Sequence, residues 1–249
     1  MTAFPPGRIR RRATLMSAIC ALVVTGTGLT GCGGEDPDKG TNGVGKLTPQ
    51  QIQTKTRKVA VAADAVRLSG SVVVKGKTYK LDMRLKGKGG SGSVTSEGST
   101  FRLLRVEEHL FLKADASFWS HEGNSKSDDA AAGKLDGMYV KVPKGDPAYQ
   151  RLSGFTDKDV LLDGLLTLHG SLATAGRREQ SGVRTIRLTG DKGSGGTLDV
   201  SLEGNPYPVR LVRGGGAGTL RLTEWGRDFA LAEPPEKETV DYGRELPAS

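Results

Sequence analysis

Apolar residues recur at every second position through most of this chain. In KTYKLDMRLK, Tyr79, Leu81, Met83 and Leu85 fall on one side, and Lys80, Asp82, Arg84 and Lys86 on the other. A period of two predicts an antiparallel strand with one face buried and one in water. Lys75-Gly76-Lys77 marks a tight turn from the preceding SGSVVV strand. SGSVTSEG and TFRLLRVEEHLFLKAD continue with shorter strands and turns. GMYVKV adds a strand that Pro143 and Gly145 end. Further on, GVRTIRLTGD, GTLDVSLEG, YPVRLVRG and GTLRLTEWG read as four strands separated by turn signals. Leu198, Val200 and Leu202 alternate strictly with polar residues there. Together these segments predict a large, strongly curved antiparallel sheet.

Two segments change to a helical period. Thr48 is placed to cap, Pro49 suits the first helical position and Gln51 completes a capping box. Ile52, Val59, Ala63 and Val66 then recur at helical spacing. In TDKDVLLDGLLTLHGSLATAG, Thr156 is the expected cap, with Asp157 and Asp159 in the first turn where acids suit the helix dipole. Leu161, Leu165, Leu168 and Leu172 form a stripe that Leu162 and Leu166 widen, so this helix must bury a broad apolar face. A short helix is expected at Phe118 and Trp119, followed by a loop containing Asp128-Asp129. Residues 234–249 read as a loose tail.

The first 31 residues are of another kind. RIRRR is a basic start, and ATLMSAICALVVTGTGL is an apolar run of signal-peptide length. Thr25, Gly26, Thr27 and Gly28 make it a poor permanent span. Leu29-Thr30-Gly31-Cys32 follows and resembles the bacterial lipobox. That resemblance implies a diacylglyceryl group on the Cys32 thiol, and cleavage that leaves Cys32 as the new N-terminus. Residues 33–47 are rich in Gly, Asp and Pro and read as a flexible linker, with a root-mean-square span of ~20 Å. The expected plan is a lipoprotein signal peptide at 1–31, a lipidated cysteine and linker at 32–47, a folded domain at 48–233 and the tail at 234–249.

Charge changes this picture little. The formal net charge is +8, but Arg8, Arg10, Arg11 and Arg12 belong to the leader, which carries no acid. Removing those four from 36 basic residues leaves 32 against 28 acids, a net +4. The charge therefore gives no reason to expect a nucleic-acid partner. The only cysteines are Cys20 and Cys32, so a chain cleaved before Cys32 keeps one and forms no internal disulfide.

Candidate chemistry is sparse. His109, His121 and His169 are not spaced as metal ligands, and neither a nucleophile elbow nor a phosphate loop occurs. GDKGSGG at 190–196 joins two strands and reads as a hairpin turn. His169 is expected at the C-terminal end of the leucine-rich helix, where a cation suits the dipole. Lys75, Lys77, Lys80, Arg84, Lys86 and Lys88 crowd one hairpin and read as a solvated outer face. The expectation is a monomeric non-enzyme that needs no metal or cofactor.

The order of elements carries a resemblance. The box, the linker and an opening amphipathic helix precede SVVVKGKTYKLDMRLKGKGGSGSVTSEG and FRLLRVEEHLFLKADASFW; NPYPVRL and LRLTEWGRDFALAEPP come later. Over residues 48–235 this resembles the LppX/LprG group of actinobacterial lipoproteins, within the LolA-like superfamily. The resemblance implies an α+β fold in which a strongly curved antiparallel sheet, a half-open barrel, carries helices on its concave face. It also implies a cavity between them that holds lipid acyl chains. No motif defines a binding residue. The patterning offers Tyr79, Leu81, Met83 and Leu85 from the sheet and Leu161, Leu165 and Leu168 from the helix as candidate lining. The function expected is lipid binding or transfer by a lipoprotein anchored through Cys32 on the extracytoplasmic face of the cell membrane. The alternative is an envelope sensor or scaffold lipoprotein that binds a protein partner and carries no lipid.

Overall fold

The computed structural model describes residues 38–120 and 132–241. The leader, Cys32 and Asp128-Asp129 lie outside the described residues. The described residues form twelve strands, most of them from the alternating pattern: β1 (Val66–Val74), β2 (Lys77–Lys86), β3 (Gly89–Ser96), β4 (Ser99–Val106), β5 (His109–Ala114), β6 (Tyr139–Val142), β7 (Leu172–Gln180), β8 (Val183–Gly190), β9 (Thr197–Ser201), β10 (Pro208–Val212), β11 (Gly218–Thr223) and β12 (Thr239–Asp241). Several hairpins close through pairs of left-handed residues, the backbone that matches strand twist. Lys75 and Gly76 have φ of 49° and 77°, Glu97 and Gly98 of 52° and 85°, and Ser181 and Gly182 of 54° and 79°.

The strands form one sheet in the order β12-β6-β5-β4-β3-β2-β1-β11-β10-β9-β8-β7. Neighbours run antiparallel except β12, which lies parallel to β6. The sheet is strongly curved and unclosed, a half-open barrel with helices on its concave face. Its register aligns the apolar positions. Leu68 stands opposite Met83 on one side and Leu222 on the other, Leu103 opposite Leu112, and Leu198 between Leu188 and Leu211. One face is thereby apolar across ten of the twelve strands, through residues such as Val72, Leu81, Val94, Leu110, Val140, Ile186 and Leu220. Glycines let the sheet bend. A Cβ on Gly70 would lie 2.2 Å from the Thr219 carbonyl oxygen, and one on Gly92 would lie 2.1 Å from that of Asp82 and 2.7 Å from Met83 Cα.

Helices flank the sheet. The first, α1 (Pro49–Ala62), starts on the expected capping box: Thr48 Oγ1 accepts from the Gln51 N–H, and Gln51 Oε1 accepts from the Thr48 N–H. Its buried stripe is Ile52, Thr56 and Ala60. Val59 is only half-buried, and Val66 already belongs to β1. The short α2 (Ala116–Ser120) buries Trp119. The next, α3 (Pro147–Ser153), has no counterpart in the hydrophobic pattern; Asp146 caps it by accepting from the Ala148 N–H at 2.7 Å.

The leucine-rich helix, α4 (Lys158–Leu165), is shorter than expected. Asp157 caps it through the Val160 N–H, while Thr156 donates to the Ser153 carbonyl behind α3. Leu168 lies beyond its end, and Leu172 opens β7. Backbone bonds to a neighbouring loop outcompete helix extension: the His169 N–H donates to the Gly195 carbonyl, and the Ser171 N–H to Asp191 Oδ1 at 2.8 Å. His169 therefore sits in an exposed loop, and the dipole role expected for it does not arise.

Both ends of the domain hold more structure than their composition suggests. Residues 38–47, assigned to the linker by their glycines, lie against the sheet. Asn42 donates through Nδ2 to the Ser201 and Gly204 carbonyls, its N–H reaches the Leu202 carbonyl at 2.8 Å, and Val44 is fully buried. Thr239–Asp241, expected in the loose tail, instead form β12, with Val240 packed on the core. The exposed hydrogen-bonding edge of β6 supplies the template.

The convex face is held by ion clusters. Arg67 grips Asp82 with two bonds of 2.9 Å and reaches Glu224 at 3.2 Å, and Arg84 joins Glu224 at 3.0 Å. On the other half, Asp199 is buried beneath Arg187, which binds it at 2.6 and 2.7 Å. The basic hairpin is solvated and partly paired, as expected of an outer face: Lys77 meets Glu97, and Lys86 meets Asp228. The Arg67 hydrogen bond holds the Asp82 carboxyl below its ordinary value of 3.8.

Two outcomes follow. Gly92→Ala should lower stability by about 1–3 kcal/mol in denaturant unfolding, because backbone atoms of β2 occupy the space its methyl needs. Asp82 ionises more readily folded than unfolded, so its contribution is present above pH 3.8 and fades as pH falls through the depressed folded value. Arg67→Gln should therefore cost at most ~1 kcal/mol at neutral pH, and the gap to the parent chain should narrow on acidification. Unfolding midpoints measured along a pH series check this.

Candidate functional site

The seven residues offered by the sequence share one core. Leu81, Met83 and Leu85 project from β2 into the apolar face and are 2%, 0% and 0% exposed. Leu165 and Leu168 belong to the same buried cluster, and Tyr79 and Leu161 pack at its margin. Tyr79 rests on Phe155, ring centroids 5.6 Å apart. Phe101, Phe118 and Trp119 extend this aromatic margin, with centroid separations of 5.4 and 5.1 Å.

The cover over this face is α1 together with α4. Its inward residues on α1 are modest: Ile52, Ala60 and Thr56, whose hydroxyl is buried without a hydrogen-bond partner among the described residues. Polar ties hold the two helices together. Lys158, 3% exposed, donates to the Val61 carbonyl and to Asp159 Oδ1, both at 2.6 Å. Arg57 bonds Asp163, and Gln53 Oε1 accepts from the Leu168 N–H at 3.2 Å. Lys158 was missed by the sequence reading, although it falls four residues before Leu162 and seven before Leu165 on one helical face.

Beside the cover a cleft of about 250 Å³ opens at the end of the sheet. Leu165, Leu168 and Leu211 supply its apolar wall. The loops holding His169, Gly195 and Arg213 form the rest. The sheet and leucine positions were legible as apolar; Arg213 was not singled out, because it follows a strand among many other arginines. The arrangement can bury hydrocarbon, and it offers no paired acid and base for catalysis. No group of metal-ligating side chains occurs among the described residues. None of the described helices is long and apolar enough to cross a membrane.

Two of the segments that carry the resemblance meet in a ring stack. Tyr207 of NPYPVRL stacks on Trp225 of LRLTEWG, planes 3° apart and centroids 4.7 Å apart, and Trp225 Nε1 donates to the Pro208 carbonyl at 3.0 Å.

No family model matches the chain, and no curated protein matches it. Solved structures do. LprF from Mycobacterium bovis superposes with a TM-score of 0.53 at 14% identity, over 75% of this chain and 96% of that one. The lipoprotein LppX of Mycobacterium tuberculosis gives a TM-score of 0.44 at 14% identity, over 74% and 98% of the two chains. On the LprF superposition and the open twelve-stranded sheet, the chain shares the fold of LprF.

Proposed function

We propose that the chain is an extracytoplasmic lipoprotein, anchored through Cys32, that binds lipid acyl chains between the apolar face of its sheet and the α1–α4 cover. The observation that carries this reading is how little apolar bulk α1 adds to the cover. A face apolar across ten strands meets on α1 only Ile52, Ala60 and a threonine whose hydroxyl finds no partner among the described residues. An acyl chain inserted there gains about 0.8 kcal/mol for each methylene removed from water. Binding then requires α1 and α4 to lift together, since Lys158, Arg57 and Gln53 join them. No covalent step enters the cycle. Only residues 33–37 separate Cys32 from Asp38, where the folded unit begins.

The tight packing of Leu81, Met83 and Leu85 favours a second reading, an envelope scaffold with a filled core that binds a protein partner. Lipid content separates the two. The organic extract of the purified chain should contain diacylated lipid by mass spectrometry; an extract free of lipid overturns the lipid-binding reading. Leu165→Ala should shift the denaturant midpoint little if Leu165 lines an opening, whereas a filled core loses ~2–5 kcal/mol. Leu165→Trp should cut bound lipid severalfold while the fold persists. For the anchor, Cys32→Ala should leave the leader uncleaved or release the protein from the membrane fraction. An intact mass without added acyl chains on the parent protein would count against it.

A further inference from the structure

Three loops meet at the end of the sheet where the cleft lies: residues 166–171 before β7, 191–196 between β8 and β9, and 213–217 between β10 and β11. Their contact is backbone to backbone. A Cβ on Gly195 would lie 2.0 Å from the His169 carbonyl oxygen, and one on Gly214 would lie 2.2 Å from that of Ser194. The Gly190 N–H donates to the Gly196 carbonyl at 2.9 Å, and the Asp191 N–H to that of Ser171 at 2.9 Å. Asp191 and Lys192 are held at φ of 41° and 56°, left-handed values that cost a non-glycine residue energy and persist only where surrounding contacts enforce them. The wall of the cleft is therefore built before any ligand arrives.

Its charge is one-sided. Arg213 lines the cleft half-buried, and no carboxylate lines it. Among the described residues, the other half-buried arginines all face an acid: Arg57 meets Asp163, Arg67 meets Asp82, and Arg187 and Arg210 meet Asp199. Arg213 has no such partner among them. Asp191, the acid of the neighbouring turn, is engaged by the Ser171 N–H. A guanidinium removed from much of its water favours an anion that can accept two hydrogen bonds, and phosphate geometry suits it. Leu165, Leu168 and Leu211 line the same cleft.

We propose that this cleft takes the phosphate headgroup of an anionic lipid, with Arg213 as its counter-charge and the three leucines meeting the first methylenes of the acyl chains. The inference rests on the lipid-binding reading and adds a headgroup class to it.

The test is equilibrium binding to the purified full chain of three soluble probes: dihexanoyl phosphatidylglycerol, uncharged dihexanoylglycerol and inorganic phosphate. The charged lipid should bind at least tenfold more tightly than the uncharged one. Arg213→Gln should erase that preference without weakening dihexanoylglycerol, and Arg213→Lys should keep most of it. Equal affinity of the parent chain for both lipids overturns the headgroup assignment and leaves acyl binding standing. Inorganic phosphate binding as tightly as the charged lipid makes this a free-anion site and overturns the lipid source. Failure of both lipids to bind overturns both readings. The comparison of probes on the parent chain decides even if Arg213→Gln does not fold.

Discussion

One constraint governs this molecule: a sheet apolar on a single face must have that face covered. The strict alternation in β2, β9 and β11 sends leucines, valines and Met83 to one side, and the register keeps them aligned from strand to strand. A one-residue slip in any pair would turn its apolar set outward, so the register is firmly fixed. Curvature answers half of the demand, because a bent sheet encloses its own concave face. Gly70 and Gly92 permit the bend, at positions where any side chain would strike the neighbouring strand. The helices answer the other half, through Ile52 of α1, Trp119 of α2, Tyr149 of α3 and Leu162 and Leu165 of α4.

The convex face obeys the complementary rule. Its arginines and carboxylates are arranged across strands, so that Arg67 and Arg84 share Glu224 and Arg187 lies on Asp199. Exposed pairs of this kind add little stability each. Glu224 in this way offsets the repulsion of Arg67 and Arg84, which stand opposite each other on β1 and β2. The same logic extends to the edges. The terminal strand β7 carries Arg177, Arg178 and Glu179 and an irregular register near Gly176, features that discourage pairing with another sheet. At the opposite end β12 occupies the free edge of β6.

Dynamics and function meet in the cover. Apolar burial holds α1 and α4 to the sheet, while hydrogen bonds donated by Lys158 and Arg57 hold them to each other. The first kind of contact is non-directional and can be exchanged for hydrocarbon of a ligand; the second is directional and keeps the pair intact.

Much of this was written in the linear sequence. Alternation fixed most strands and their inward faces, Lys75-Gly76 fixed a turn, and Thr48 through Gln51 fixed the start of α1, because each depends on neighbours within a few residues. What failed depended on distant partners. The end of α4 was decided by Gly195 and Asp191, more than twenty residues downstream, and Leu168 and Leu172 therefore left the helix. β7 carries too few buried residues to show a period, and it exists because β8 offers it hydrogen bonds. The same holds for Thr239–Asp241 on β6, and for residues 38–47, where Asn42 finds carbonyls 159 and 162 positions away. The aligned leucines were legible as apolar, but whether they line a cleft or fill a core is a property of packing. Arg213 is the sharpest case. Its sequence neighbours resemble those of other arginines, and only the tertiary structure sets it apart from every carboxylate described.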